Sequence, residues 1–211
     1  MSFVIKKLLF VLFLSSVVSL EARAASPYLR AGGGVSVPAD VRLYSIDVEV
    51  GELKQKTGTV FEMAVGLISE KLPIRAELSF SRIENSLETL IIEEQLGKVS
   101  RPVRGNVVVS SLMANLQYDI STGTALTPYI KAGIGGADIS IEIDGIVTWS
   151  DLVLAGQVGG GLAYEVSENL SLDLGYTYIV SDRTSEELIG GLPVGVEYNG
   201  HIVQFGVCYQ F

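Results

Sequence analysis

The chain has 211 residues, 24 acidic against 15 basic, a formal charge of -9, and 48% apolar residues. A chain this acidic is poorly suited to a polyphosphate backbone, so nucleic acid is excluded as the expected partner. Its single cysteine, Cys208, excludes an intramolecular disulfide, so packing and backbone hydrogen bonds must hold the fold.

The N-terminal stretch "MSFVIKKLLFVLFLSSVVSLEARAAS" has a basic start at Lys6 and Lys7 and an apolar run from Leu8 to about Leu20. Ala22-Arg23-Ala24, small-x-small, follows. These are the three regions of a secretory signal peptide, expected to occupy residues 1–24. An uncleaved membrane helix is the alternative, but the run is short for a span. Without it, residues 25–211 hold 12 basic and 23 acidic residues, a charge of -11 and a single domain's worth of chain. Past residue 24 hydrophobicity falls at alternate positions rather than in one long stretch.

Eight segments read as strands. "YLRAGGGVSV" (28–37) is the first, weakened by three glycines. "TVFEMAVGLI" (59–68) sets Phe61, Met63, Val65 and Leu67 against Glu62, Ala64 and Gly66. "PIRAELSFSRI" (73–83) alternates most cleanly, with Ile74, Ala76, Leu78 and Phe80 opposite Arg75, Glu77, Ser79 and Ser81. "NVVVSSLMANLQYDI" sets Val108, Leu112, Ala114, Leu116 and Tyr118 against Met113, Asn115 and Gln117. "LTPYIKAGIGGA" (126–137) and "LVLAGQVGGGLAYEV" (152–166) follow. Between them, "ISIEIDG" could extend strands beyond a membrane. "LSLDLGYTYIV" (170–180) and the closing "HIVQFGVCYQF" complete the set. Connections alternate long and short, as in an up-and-down barrel with its turns at one rim and its loops at the other. The reading is all-β: an eight-stranded antiparallel transmembrane β-barrel, closed because an open edge is untenable in lipid.

The two faces choose between membrane and water. One is small or polar: Gly66, Gly133, Gly135, Gly159, Gly161, Gly175 and Gly206 with Arg75, Glu77, Lys131, Asp173 and Gln204. The other is Leu, Val, Ile, Phe and Tyr. An eight-stranded barrel has a narrow interior that the small face can fill, so the bulky face belongs to lipid. A soluble lipocalin-like barrel would exchange the faces, showing glycines to water and crowding large side chains inside. Tyr118, Tyr164, Tyr176, Tyr178, Tyr209 and Phe211 fall near strand ends, where aromatic girdles form.

Arg75, Glu77, Lys131 and Asp173 share the lumen face, as a salt-bridge network or as the lining of a narrow pore. His201, the one histidine, has no serine beside it and reads as a rim residue rather than a catalytic base. Cys208 reads as an inert interior filler. The glycine runs contain no phosphate-binding or dinucleotide fingerprint, and no spacing suggests a metal site. No catalytic, cofactor-binding or metal residues are therefore assigned. Acid concentrates in the long connections: Asp40, Asp47, Glu49 and Glu52; Glu84, Glu88, Glu93 and Glu94; Asp182, Glu186 and Glu187. "SLETLIIEEQL" is apolar enough to suggest a short helix over the barrel mouth.

"RAELSFS", "LTPYIKAGIGGA", "AGQVGGGLAYEVSENLSLDLGYTYI" and "VQFGVCYQF" resemble small bacterial outer-membrane β-barrel proteins of the opacity and surface-antigen type, similar to the OmpA-like barrel. The resemblance implies a monomer in the outer membrane of a Gram-negative bacterium, with short periplasmic turns and no catalytic site. Its implied role is adhesin- or antigen-like, with a narrow pore or a lipid-modifying barrel enzyme as alternatives. It also implies contact with outer-membrane lipid and lipopolysaccharide, extracellular ligands at the loops, and recognition of the Phe211 strand by the barrel-assembly machinery. No periplasmic domain of the OmpA kind is expected after Phe211.

Overall fold

The computed structural model describes residues 25–39, 41–45, 48–94, 97–143, 147–184, 187–189 and 192–211. The expected leader, residues 1–24, lies outside the described residues. Eight long antiparallel strands build the wall: β1 (Ala25–Pro38), β4 (Gly58–Ser69), β5 (Ile74–Glu94), β7 (Gly105–Asp119), β8 (Leu126–Ile143), β9 (Val147–Ser167), β10 (Leu170–Ser181) and β13 (Asn199–Gln210). Each pairs with its sequence neighbour in this set, and β1 pairs with β13 from Tyr28↔Gln210 to Pro38↔Gly200. That seam closes the sheet into a barrel, and the Phe211 amide donates to the Pro27 carbonyl at 3.0 Å beyond it.

The turns after β4, β7 and β9 are short and share one rim. The turn after β7 contains Gly123 at φ 70, a left-handed conformation that a side chain would strain. At the other rim the expected loops are largely strand. β2 (Val41–Ser45) and β3 (Val48–Gln55) carry the wall upward from β1 and β4. β6 (Gly97–Pro102) does so beside β5, and β12 (Leu192–Glu197) pairs with β11 (Glu187–Ile189) on one side and β2 on the other. The helix expected in "SLETLIIEEQL" does not form. Residues 86–94 continue β5, paired with β3 on one side and β6 on the other. Two ladders satisfy backbone groups that an isolated helical turn would leave open.

β5 and β9 each run 21 residues, about twice the 9–11 needed to cross a bilayer at a tilt. The surplus lies on the outer side, where the two faces exchange character. Across the membrane band the outward side chains are large and apolar, among them Phe61, Phe80, Leu116, Ile130, Val158, Leu174 and Phe205. Farther out along β5 the outward residues become Arg82, Glu84, Ser86 and Glu88, while Ile83 and Leu87 turn in. β8 behaves likewise, with Asp138, Ser140 and Glu142 outside and Ile139 and Ile141 inside. The period of two is unbroken, but the solvent outside changes from hydrocarbon to water.

Candidate functional site

The lumen has two layers. In the half nearer the short turns, alternation along β1 points Tyr28 and Arg30 inward, each under a tenth exposed. The Arg30 guanidinium reaches three strands. It pairs with Glu62 of β4, meets Glu77 of β5 through Nε and Nη2 at 3.2 Å each, and lies 3.5 Å from Asp173 Oδ1 of β10. Tyr28 Oη donates to Glu77 Oε2 at 3.0 Å, and Asn115 Nδ2 donates to Glu77 Oε1 at 3.1 Å. Gln157 Nε2 in turn donates to Asn115 Oδ1 at 2.6 Å, and Gln204 Nε2 to Glu62 Oε1 at 3.0 Å. Lys131 Nζ stands 3.8 Å from Glu62. Glycine makes the space: a Cβ on Gly175 would lie 2.7 Å from the Tyr129 hydroxyl.

Of the four charges singled out in the sequence, three belong to this network. Arg75 does not; it pairs with Asp119 at 2.6 Å, and Gln117 Nε2 donates to the other Asp119 oxygen at 2.8 Å. Arg30, at the centre, is not among those four. It lies beside Gly32, Gly33 and Gly34, where the apolar alternation fades, although its parity with Tyr28 and Ser36 would have placed it inward.

Above this layer Ile83, Val107, Val109, Met113, Ile139, Ile179 and Ile202 form one buried apolar cluster, with Tyr198 in it. Burial pushes the Tyr198 phenol up to about 12, the Ser36 hydroxyl acting weakly the other way. Ser36, Ser81, Asn85 and Ser111 pair at the boundary: Ser36 donates to Asn85 at 3.3 Å, and the Ser81 and Ser111 hydroxyls are 2.8 Å apart. A polar ring therefore ends in a dry plug.

Outside, His201 faces away from the lumen. Its Nδ1 is 2.7 Å from the Tyr176 hydroxyl, and its ring centroid is 5.1 Å from that of Tyr178. This is an aromatic group on the outer face of the wall. Cys208 is buried on the lumen face, as its parity requires. Among the described residues no cluster of His, Cys, Asp or Glu could hold a metal ion. Above the apolar band the outer wall has a polar recess of about 570 Å³, edged by Thr59, Arg82, Glu84, Ser86, Asn106 and Glu142. Arg82 and Glu84, neighbours on one face of β5, are bridged at 2.7 Å beside it. Of the acidic residues expected in the loops, Asp40, Asp47 and Glu186 lie outside the described residues.

A closed antiparallel barrel, apolar outside, polar within and girdled by Tyr118, Tyr164, Tyr209 and Phe211, is an outer-membrane protein of a Gram-negative bacterium. The chain belongs to the family of the outer membrane protein beta-barrel domain, which matches residues 10–211. It is 32% identical over 92 residues to outer membrane protein PagN of Salmonella typhimurium, a match covering 39% of this chain and 38% of that protein. Its fold is similar to that of Neisserial surface protein A, at 19% identity and TM-score 0.57, covering 90% of this chain and all of the other. OprG of Pseudomonas aeruginosa is similar at 14% identity and TM-score 0.57, covering 89% of this chain and 96% of the other.

Proposed function

We propose that this protein is a closed, non-conducting surface protein, adhesin- or antigen-like, that acts through the wall and acidic connections it raises above the membrane. The observation carrying this reading is the two-layered lumen. A paired charge network lies beneath an apolar plug, while the polar side chains beyond the membrane band are turned outward. In this reading residues 1–24 are a cleaved leader and residues 25–211 the working barrel, a monomer. Lipid covers the apolar band, lipopolysaccharide surrounds the polar wall above it, and extracellular ligands meet the outer strands. The strand ending at Phe211 is what the barrel-assembly machinery reads; the Phe211 ring packs edge-on against Tyr209 at 5.2 Å on the lipid side, which supports that role.

The test is conductance in planar bilayers beside adherence of cells displaying the protein. Silent bilayers, together with adherence that falls when Arg82, Glu84 and Glu142 are all replaced by Ala, fit the proposal. Single-channel steps that vanish on altering Arg30 or Lys131 would replace it with the narrow pore.

A further inference from the structure

We propose that the lumen network binds one proton, held on Asp173 and exchanged with the periplasmic side. The proposal is independent of what the outer wall binds. Arg30 and Lys131 share the polar layer with Glu62, Glu77 and Asp173, and all five are no more than 9% exposed. Two positive charges thus face three negative ones inside a wall surrounded by lipid. An uncompensated buried charge is strongly disfavoured, and a titratable group so placed neutralises instead. Arg75 cannot supply the missing charge, because Asp119 already balances it.

The three carboxylates are not equally supported as anions. Glu77 accepts from Tyr28, Arg30 and Asn115, and Glu62 from Arg30 and Gln204. Among the described residues neither oxygen of Asp173 accepts a hydrogen bond, and Arg30 Nη1 lies 3.5 Å from Oδ1. Opposite Asp173 on β13 sits Gly206, where a Cβ would come within 2.6 Å of Asp173 Oδ2, so that neighbour offers no donor. The titratable and charged groups facing this layer are Tyr28 and Arg30 from β1, Glu62 from β4, and Arg75 and Glu77 from β5. Tyr129 and Lys131 come from β8, and Cys208 from β13. β7 contributes Asp119, paired with Arg75, beside the neutral Asn115 and Gln117, and β9 contributes the neutral Gln157.

Space for exchange lies on one side of Asp173. A cavity of about 10 Å³, lined by Asp173, Arg30 and Tyr129, has room for one water. Arg75, Ser171 and Cys208 line both it and a second cavity of about 60 Å³ at the periplasmic mouth. Outward, the Ile83–Ile139 plug blocks the way.

The experiment is infrared spectroscopy of the full barrel in liposomes at pH 7, with ¹³C-labelled aspartate or glutamate. Expected is one protonated-carboxyl band, shifted by D₂O and by the aspartate label, and absent in Asp173→Asn. If Asp173→Asn does not assemble, the labelled native protein decides between aspartate and glutamate. Full ionisation of every carboxyl at pH 7 overturns the proposal. So does a band that follows the glutamate label, or an ionised cluster whose stability depends on replacing choline by sodium. Conductance and adherence, which test the surface role, are read separately.

Discussion

Ile139 and Ile134 lie on one strand, five residues apart and on opposite faces, so the same truncation should have different consequences. Ile139 is fully buried in the plug, whereas Ile134 is 44% exposed toward lipid. Ile→Ala removes three carbon atoms, about 2.4 kcal/mol at ~0.8 per methylene. At Ile139 the space is closed in by the lumen, and a residual void of ~50 Å³ adds about 1.2 kcal/mol at ~24 cal/mol per Å³. The expected cost is therefore about 3.5 kcal/mol. At Ile134 an acyl chain moves into the vacated volume, so the cavity contribution vanishes. The removed carbons still exchange water for hydrocarbon on folding, so the transfer contribution of about 2.4 kcal/mol remains and is the whole expected cost. Urea unfolding of the barrel in liposomes, followed by the gel shift between folded and heated protein, measures both. Equal costs at the two positions, or a larger one at Ile134, would refute the placement of lipid and core on which the whole reading depends.

Arg30→Met leaves Glu62, Glu77 and Asp173 facing Lys131 alone, and loss of one partner from such a buried set costs about 3–5 kcal/mol. Folded yield should fall sharply and recover in part with Glu77→Gln, measured by the same gel shift; no recovery would argue against the shared network. Gly32→Ala sets a Cβ 2.8 Å from the Phe205 carbonyl oxygen, a backbone atom across the closing seam. The β1–β13 ladder must then shift, at about 1–3 kcal/mol, while Gly33→Ala on the opposite face of β1 should be milder in the same assay. Tyr198, held as the neutral phenol to about 12 against an ordinary 10, contributes stability that is complete below pH 10 and is lost as pH rises toward 12. The difference in stability between native protein and Tyr198→Phe should change only in that window, and a flat difference would place Tyr198 in water.

Much of the barrel is legible in the sequence because strand alternation is local. Phe61 to Leu67, Ile74 to Phe80 and Val203 to Phe211 state their period of two without reference to any partner, and their composition separates lipid from lumen. The inward placement of Glu77, Lys131, Asp173 and Cys208 follows from parity alone. The helix expected in "SLETLIIEEQL" shows where local reasoning stops. Those residues suit a helix in isolation, but they extend β5 because β3 and β6 flank it, and neither partner is visible from within the segment.

What the sequence by itself determined is the alternation, the number of membrane-crossing strands and which side chains share a face. Only the tertiary structure decided what each face meets. Closure brings Arg30, Glu62, Glu77 and Asp173 together from four strands spread over more than a hundred residues, a grouping that no spacing announces. It also places Ile83 and Ile139 at the level where the outward side chains turn polar, so that the outside there is water and the inside must be dry. The physical reason is that burial belongs to the closed barrel: one alternating strand has two faces and no interior until its neighbours define one.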